Sequence, residues 1–360
     1  MEKEITSSEN ITVGITIGDV NGIGPEIIIK ALKDNRILNE ITPVIYGSSK
    51  VISFYKKLMQ ANEFNYQNCK SASDIQHKKI NLINVWNEDV DIQPGISSVI
   101  GGQYALKSLE AATLDLAEGK VDVLVTAPFS KEAMKKAGFD FPGHTEYLAK
   151  YSNVDEALMI LVSKNLRVAL VTTHIPISEV SKALTKAAIL SKIKVFENCL
   201  KRDFNLVRPK IAVFGLNPHA GENGKIGMEE QEQIIPAIQE AKSEGILAFG
   251  PFAADGFFGS NAKNQFDGVL AMYHDQGLTA FKALAFEDGV NFTAGLPIVR
   301  TSPDHGTAFD IAGKDLASEE SFRSAIYLAM DIYRNRKFVK QINENPLQVR
   351  KEIERERREF

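Results

Sequence analysis

The stretch FDGVLAMYHDQGLTAFKALAFEDGVNFTAGLPIVRTSPDHGTAFDIAGK, residues 266–314, decides how this chain reads. It opens with an apolar run over 268–273 that predicts a buried strand, and the run stops abruptly at His274-Asp275-Gln276-Gly277. Lys282, Asn291, Arg300 and the glycine-bearing His305-Gly306-Thr307 follow. A buried strand that ends in a ring nitrogen, an amine, an amide and a guanidinium presents polar groups that a core does not need. Open α/β sheets bind ligands beyond the carboxyl ends of their strands, where such groups converge. The stretch reads as half of a functional site.

Upstream, apolar runs at 11–17, 43–46, 80–85, 121–126, 167–172 and 210–216 predict further strands. Helical periodicity over 51–59, 99–118 and from Tyr147 onward, with a polar helix over 177–200, fills the intervals. Short apolar strands alternating with helices predict a mostly parallel sheet covered on both faces. After the first strand comes Gly18-Asp19-Val20-Asn21-Gly22-Ile23-Gly24-Pro25-Glu26, with Pro25 near the first turn of a helix. Such a glycine turn at a helix start either receives an anion or is only a tight connection. The spacing is not the dinucleotide fingerprint GxGxxG. Residues 61–93 look irregular, and Trp86, the single tryptophan, reads as packing.

The 360 residues suffice for two α/β domains or one large one. A hydrophobic content of 44%, a charged content of 24% and a net charge of -4 describe an ordinary globular chain. They give no reason to expect nucleic acid or an anionic membrane as partner. Cys69 and Cys199 stand in no metal-type spacing and suit a reducing compartment. No apolar run approaches the ~20 residues of a membrane helix, and the polar start is no signal peptide, so a cytoplasmic location is expected. Residues 1–10 read as a disordered tail and 350–359 as a charge-dense, solvated helix end.

Three of the six histidines, His174, His219 and His274, each fall within three residues of the end of a predicted strand. One alone would be an ordinary loop histidine. Three at equivalent points can meet, because neighbouring strands lie about 5 Å apart. Three neutral imidazoles with an open position suit Zn²⁺, Co²⁺ or Mn²⁺. His144, Thr145, Lys282, Asn291 and Arg300 are donors suited to carboxylate and phosphate oxygens. Lys282 or Asp255 is expected to take up a hydroxyl proton.

The segments GDVNGIGPE (18–26), TAPFSKEAMKKAG (126–138), GHTEYLA (143–149), TTHIP (172–176), LNPHAGENG (216–224), YHDQGL (273–278) and GVNFTAGLPIVRTSPDHGTAFDIAG (289–313) closely resemble the 4-hydroxythreonine-4-phosphate dehydrogenase (PdxA) family of vitamin B6 synthesis. The resemblance runs in order from about residue 11 to residue 330. It implies an NAD-dependent oxidation of 4-phosphohydroxy-L-threonine at its 3-hydroxyl, followed by decarboxylation to 3-amino-2-oxopropyl phosphate. It implies one divalent ion (Zn²⁺, Co²⁺ or Mg²⁺) on His174, His219 and His274. Substrate contacts are implied at His144, Thr145, Lys282, Asn291 and Arg300. It also implies a homodimer whose site is built across the interface, so that the three histidines need not come from one subunit.

The segment DHGTAFDIAGK further resembles the adenine-side loop of isocitrate and isopropylmalate dehydrogenases, and GIGPE recurs in those enzymes near the cofactor. Cofactor contacts are therefore expected from Gly22, Gly24, His305, Gly306, Thr307 and Asp310. The fold implied is their two-domain α/β/α sandwich with the site in the interdomain cleft. Residues 11–125 and 300–360 would form one domain and 126–299 the other. Residues 58–90 are weakly patterned on the family, and the end past about 335 is longer and more charged. Rival readings are a sister dehydrogenase acting on phosphorylated threonate or erythronate, a metal-dependent phosphate-ester hydrolase or acyltransferase on the same fold, and a catalytically silent binding protein.

Overall fold

A computed structural model describes residues 10–154 and 157–345. The expected tail at 1–10 lies outside the described residues apart from Asn10, and the charge-dense end at 350–359 lies outside them altogether. The strands are β1 (Ile11–Thr16), β2 (Ile41–Gly47), β3 (Gln67–Cys69), β4 (Asn81–Asn84), β5 (Val123–Thr126) and β6 (Leu158–Ser163). They continue as β7 (Leu166–Leu170), β8 (Lys210–Phe214), β9 (Leu247–Phe252), β10 (Gly268–Ala271), β11 (Val290–Ala294) and β12 (Arg300–Pro303). The helices are α1 (Gly24–Leu32), α2 (Ser49–Leu58), α3 (Val99–Ala117), α4 (Lys131–Lys136), α5 (His144–Tyr151) and α6 (Ile177–Ala183). They are followed by α7 (Lys186–Arg202), α8 (Ile235–Ser243), α9 (Ala254–Gly259), α10 (His274–Ala285) and α11 (Glu320–Asn343).

All twelve strands join one sheet in the order β3-β4-β2-β1-β5-β12-β11-β6-β7-β10-β8-β9. Strands from 11–126 and 300–303 fill one half of it, and strands from 158–294 fill the other. The runs β3-β4-β2-β1-β5-β12 and β7-β10-β8-β9 are each parallel throughout. Three antiparallel pairings in succession, β12 to β11, β11 to β6 and β6 to β7, separate the halves. An odd number of reversals makes the two parallel halves run in opposite directions.

Alternation along the strands buries both faces. On β2, Ile41 and Ile45 pack toward α1 and α2, while Val44 and Tyr46 pack toward α3. On β8, Ile211 and Val213 face α7 and α8, while Ala212 and Phe214 face α9 and α10. The result is three layers, helix on sheet on helix. Both cysteines and Trp86 are buried, the indole against the Tyr104 ring at 4.6 Å between centroids.

Two expectations are corrected. The helix expected over 177–200 is broken after Ala183. Thr185 takes an extended backbone, and its hydroxyl accepts from Ala188 N, which caps a new helix, α7. The region 61–93, read as irregular, adds β3 beside the β4 strand expected at 80–85. Four further strands carried no expectation. β6 is joined to β7 by a turn through Lys164, whose φ of 50° is left-handed, and β9, β11 and β12 complete the set.

Candidate active site

The strands preceding the three histidines are neighbours, in the order β7-β10-β8, and all are parallel. His174 and His274 meet near this edge, with ring centroids 6.0 Å apart. His219 does not join them. It sits exposed on the turn Pro218–Gly224, where residues 219–223 run at positive φ in succession. Buried Glu230 anchors that turn, accepting from Leu216 N at 2.8 Å, Asn217 N at 2.7 Å and Asn217 Nδ2 at 3.0 Å. Among the described residues no group of three His, Cys, Asp or Glu side chains is close enough to hold a metal ion.

His174 and His274 lie at one side of a cavity of about 290 Å³ over the seam of the sheet. β5 contributes Thr126, β12 Arg300 and Ser302, β11 Asn291, and β6 Met159. His144 and Thr145 come from the first turn of α5, and Lys282 from α10. The five expected donors thus share one cavity with two of the three histidines. A second cavity of about 470 Å³ adjoins it through Thr145, Glu146 and His174.

Arg300 is 3% exposed. Its Nε and Nη2 donate to Thr126 Oγ1 at 3.1 and 2.6 Å, and Nη1 donates to Thr293 Oγ1 at 3.2 Å. Burial pulls this guanidinium down to about 9, which still leaves it charged at neutral pH. Lys282 Nζ donates to the Asp304 carbonyl at 3.2 Å and stands 3.6 Å from its carboxylate. Burial raises the Asp304 carboxyl, and the Lys282 ammonium opposes that rise. The His144 ring packs on Phe129 at 4.1 Å. Burial, with the charges of Arg300 and Lys131, holds its pKa well below the usual histidine value, so the imidazole is neutral.

Three residues that carried no sequence expectation complete the site. Lys131 Nζ stands 3.3 Å from His174 Nε2, and the Glu146 carboxylate is 3.8 Å from Nδ1 of the same ring. Asp275 Oδ1 is 2.7 Å from His274 Nδ1. Carboxylates on the Nδ1 side of two imidazoles are the arrangement that orients metal-binding histidines. Lys131 and Glu146 lie inside quoted motifs, and only contact with His174 distinguishes them. Three buried polar atoms with no partner, Glu146 Oε2, Asn291 Oδ1 and His305 Nε2, belong to residues lining this one cavity. Buried orphans gathered on one cavity call for an explanation, and a bound ligand or ion is one.

The remaining expected residues are dispersed. Asp255 is exposed on α9 and outside the cavity. His305 and Gly306 line the cavity, whereas Asp310 is exposed. Gly22 packs on Thr307, whose carbonyl accepts from Ile23 N at 3.0 Å. A Cβ on Gly24 would stand 2.4 Å from the Ile17 carbonyl oxygen.

The family model described as pyridoxal phosphate biosynthetic protein PdxA matches residues 39–329. A 4-hydroxythreonine-4-phosphate dehydrogenase from Bacteroides thetaiotaomicron is 50% identical over 338 residues, covering 94% of this chain and 93% of that one. A protein from Oceanobacillus iheyensis, 40% identical over 90% of this chain and 98% of its own, is named as a D-threonate 4-phosphate dehydrogenase. A crystal structure of 4-hydroxythreonine-4-phosphate dehydrogenase from Klebsiella pneumoniae is 36% identical with a TM-score of 0.76, covering 90% of this chain and 100% of that one. This chain belongs to the PdxA family of pyridoxal phosphate biosynthetic proteins.

Proposed function

We propose that the chain oxidises 4-phosphohydroxy-L-threonine at C3 and decarboxylates the product, as the names of its relatives imply. The C3 hydride passes to NAD⁺ and the hydroxyl proton to a base. The resulting β-keto acid loses CO₂, and protonation at C2 gives 3-amino-2-oxopropyl phosphate. The observation that carries this reading is the cavity at the sheet seam. Arg300 and Lys131 line it together with Glu146, Asn291 and His305, each of which keeps a buried polar atom without a partner among the described residues. Cations suit the phosphate and carboxylate of such a substrate, and Asn291 Oδ1 and Glu146 Oε2 suit its ammonium. Arg300 and His144 orient and desolvate, while Lys282, tethered by Asp304 on the wall of the same cavity, would take the hydroxyl proton in its neutral amine form.

His174 and His274 suit a divalent ion in ring separation and in their carboxylate partners provided Lys131 Nζ gives up its contact with His174 Nε2, and no third ligand joins them among the described residues of one protomer. His219 is exposed on a turn whose strained backbone is held by Glu230, which suits a ligand offered to a second copy of the chain. A divalent ion so held would supply a Lewis acid for the C3 oxygen as negative charge builds there. Asp255, also exposed, would reach a site only across the same interface. His305 and Gly306 would meet the cofactor at the cavity wall.

The test is NADH formation by purified protein given 4-phosphohydroxy-L-threonine or 4-phospho-D-threonate with Zn²⁺. Preference for the first is expected. Preference for the second would transfer the chain to the sister activity, and phosphate release without NADH would favour the hydrolase. For the shared site, His219→Ala and His174→Ala homodimers should be inactive and mixed dimers active, since one of two sites is then whole. Activity in the His219→Ala homodimer would remove the metal role.

A further inference from the structure

We propose that Thr126 and Thr293 are positioning residues. They fix the direction of two ligand-facing donors, the Arg300 guanidinium and the Thr145 hydroxyl. The inference rests on the anion-binding role given above to this cavity.

A guanidinium has five N–H donors and no acceptor. Arg300 directs three of them onto threonine oxygens, Nε and Nη2 to Thr126 and Nη1 to Thr293. One N–H on Nη1 and one on Nη2 remain for oxygens of a carboxylate or phosphate. Among the described residues no carboxylate forms an ion pair with Arg300. Hydroxyls hold the fork in orientation without neutralising it, so the charge is left for a ligand.

The second donor follows from the first. Register along β11 and β12 pairs Asn291 with Ser302 and Phe292 with Thr301; one step further it sets Thr293 opposite Arg300. Thr293 is fully buried, and its hydroxyl has two polar neighbours, Arg300 Nη1 and Thr145 Oγ1, the latter at 3.2 Å. The cation cannot accept a hydrogen bond. The Thr293 proton therefore goes to Thr145 Oγ1, and the Thr145 proton is free to point into the cavity. Arg300 thus sets the polarity of Thr145 through Thr293, and Thr145 acts as donor to a substrate oxygen.

The experiment compares Thr126→Val and Thr293→Val with Thr126→Ser and Thr293→Ser in the full chain supplied with Zn²⁺. Binding of 4-phosphohydroxy-L-threonine without NAD⁺ is read by calorimetry, and KM and kcat are read with NAD⁺. Each valine variant is expected to weaken binding and raise KM by roughly 10- to 100-fold, the worth of a hydrogen bond to a charged group. The serine variants should stay within about threefold of the parent, since the hydroxyl is kept. Should a valine variant not melt cooperatively, alanine at that position is read in its place. Unchanged affinity and KM in the valine variants, or equal losses in the serine and valine variants, would overturn the inference. The calorimetric pattern supports it even if no NADH forms, so the inference and the proposed activity fail separately.

Discussion

The two halves of the sheet treat their turns in opposite ways. In the first, the glycine turn after β1 is closed by the chain itself. Gly22 packs on Thr307, Gly24 packs under the Ile17 carbonyl, and Glu26 fills the start of α1. The Glu26 carboxylate accepts from Gly313 N and Ala317 N at 3.2 Å and binds Lys30. At the seam with the second half, among the described residues, no carboxylate forms an ion pair with Arg300, and Asn291, Glu146 and His305 keep unpaired atoms. A glycine turn at a helix start is a site only when its donors are left free. Several unsatisfied polar groups gathered on one cavity are the better guide to a ligand than a glycine turn, or than a lone orphan such as Asp19 Oδ2.

Arg300→Met is the largest test of this contrast. It should lower kcat/KM by about 3–5 kcal/mol in apparent transition-state binding, while Tm holds or rises, because a buried charge without a counter-ion costs stability. A large fall in Tm would mean that Arg300 serves the core. Glu26→Ala should do the reverse, losing about 2–4 kcal/mol in urea unfolding by orphaning two N–H groups and Lys30, with KM for the phosphorylated substrate unchanged.

Asp19, in the same closed turn, is fully buried; one carboxylate oxygen accepts from Asn21 N and the other has no partner among the described residues. Burial raises its pKa from 3.8 to about 6. A raised folded-state pKa favours folding below about 3.8, and that contribution is lost as pH rises through about 6. The difference between Asp19→Asn and the parent should therefore move in favour of the variant from pH 4 to pH 7.5. The change should be no more than about 3 kcal/mol, 2.2 pKa units at 1.36 kcal/mol each. A flat difference would show that Asp19 is already satisfied. Gly24→Ala, the smallest effect, should cost about 1–3 kcal/mol by overpacking against Ile17 and leave KM for the phosphorylated substrate alone. A raised KM without loss of stability would restore the anion reading of that turn.

Much of the site was legible in residues 266–314 and in the strand-end histidines, because apolar runs that stop at polar groups report where a sheet edge opens. Strand alternation and helix periodicity likewise announced three layers. Lys131 and Glu146 were not legible as partners of His174, since a lysine and a glutamate in loops and helix starts read as surface charge. The break at Thr185 was written in a capping threonine but outweighed by the continuous helical pattern around it.

By itself the sequence determined seven of the twelve strands in order, the family, and the identity of the donors that gather at the seam. Only the tertiary structure decided that three antiparallel pairings reverse one half of the sheet against the other. It alone brought Thr126, Thr293 and Arg300 together across three strands, and it alone kept His219 away from His174 and His274. The physical reason is range. Periodicity and capping are read from neighbours in the chain, whereas strand order, burial and the pairing of a charge depend on which distant segments meet, as Arg300 meets Thr126 across 174 positions.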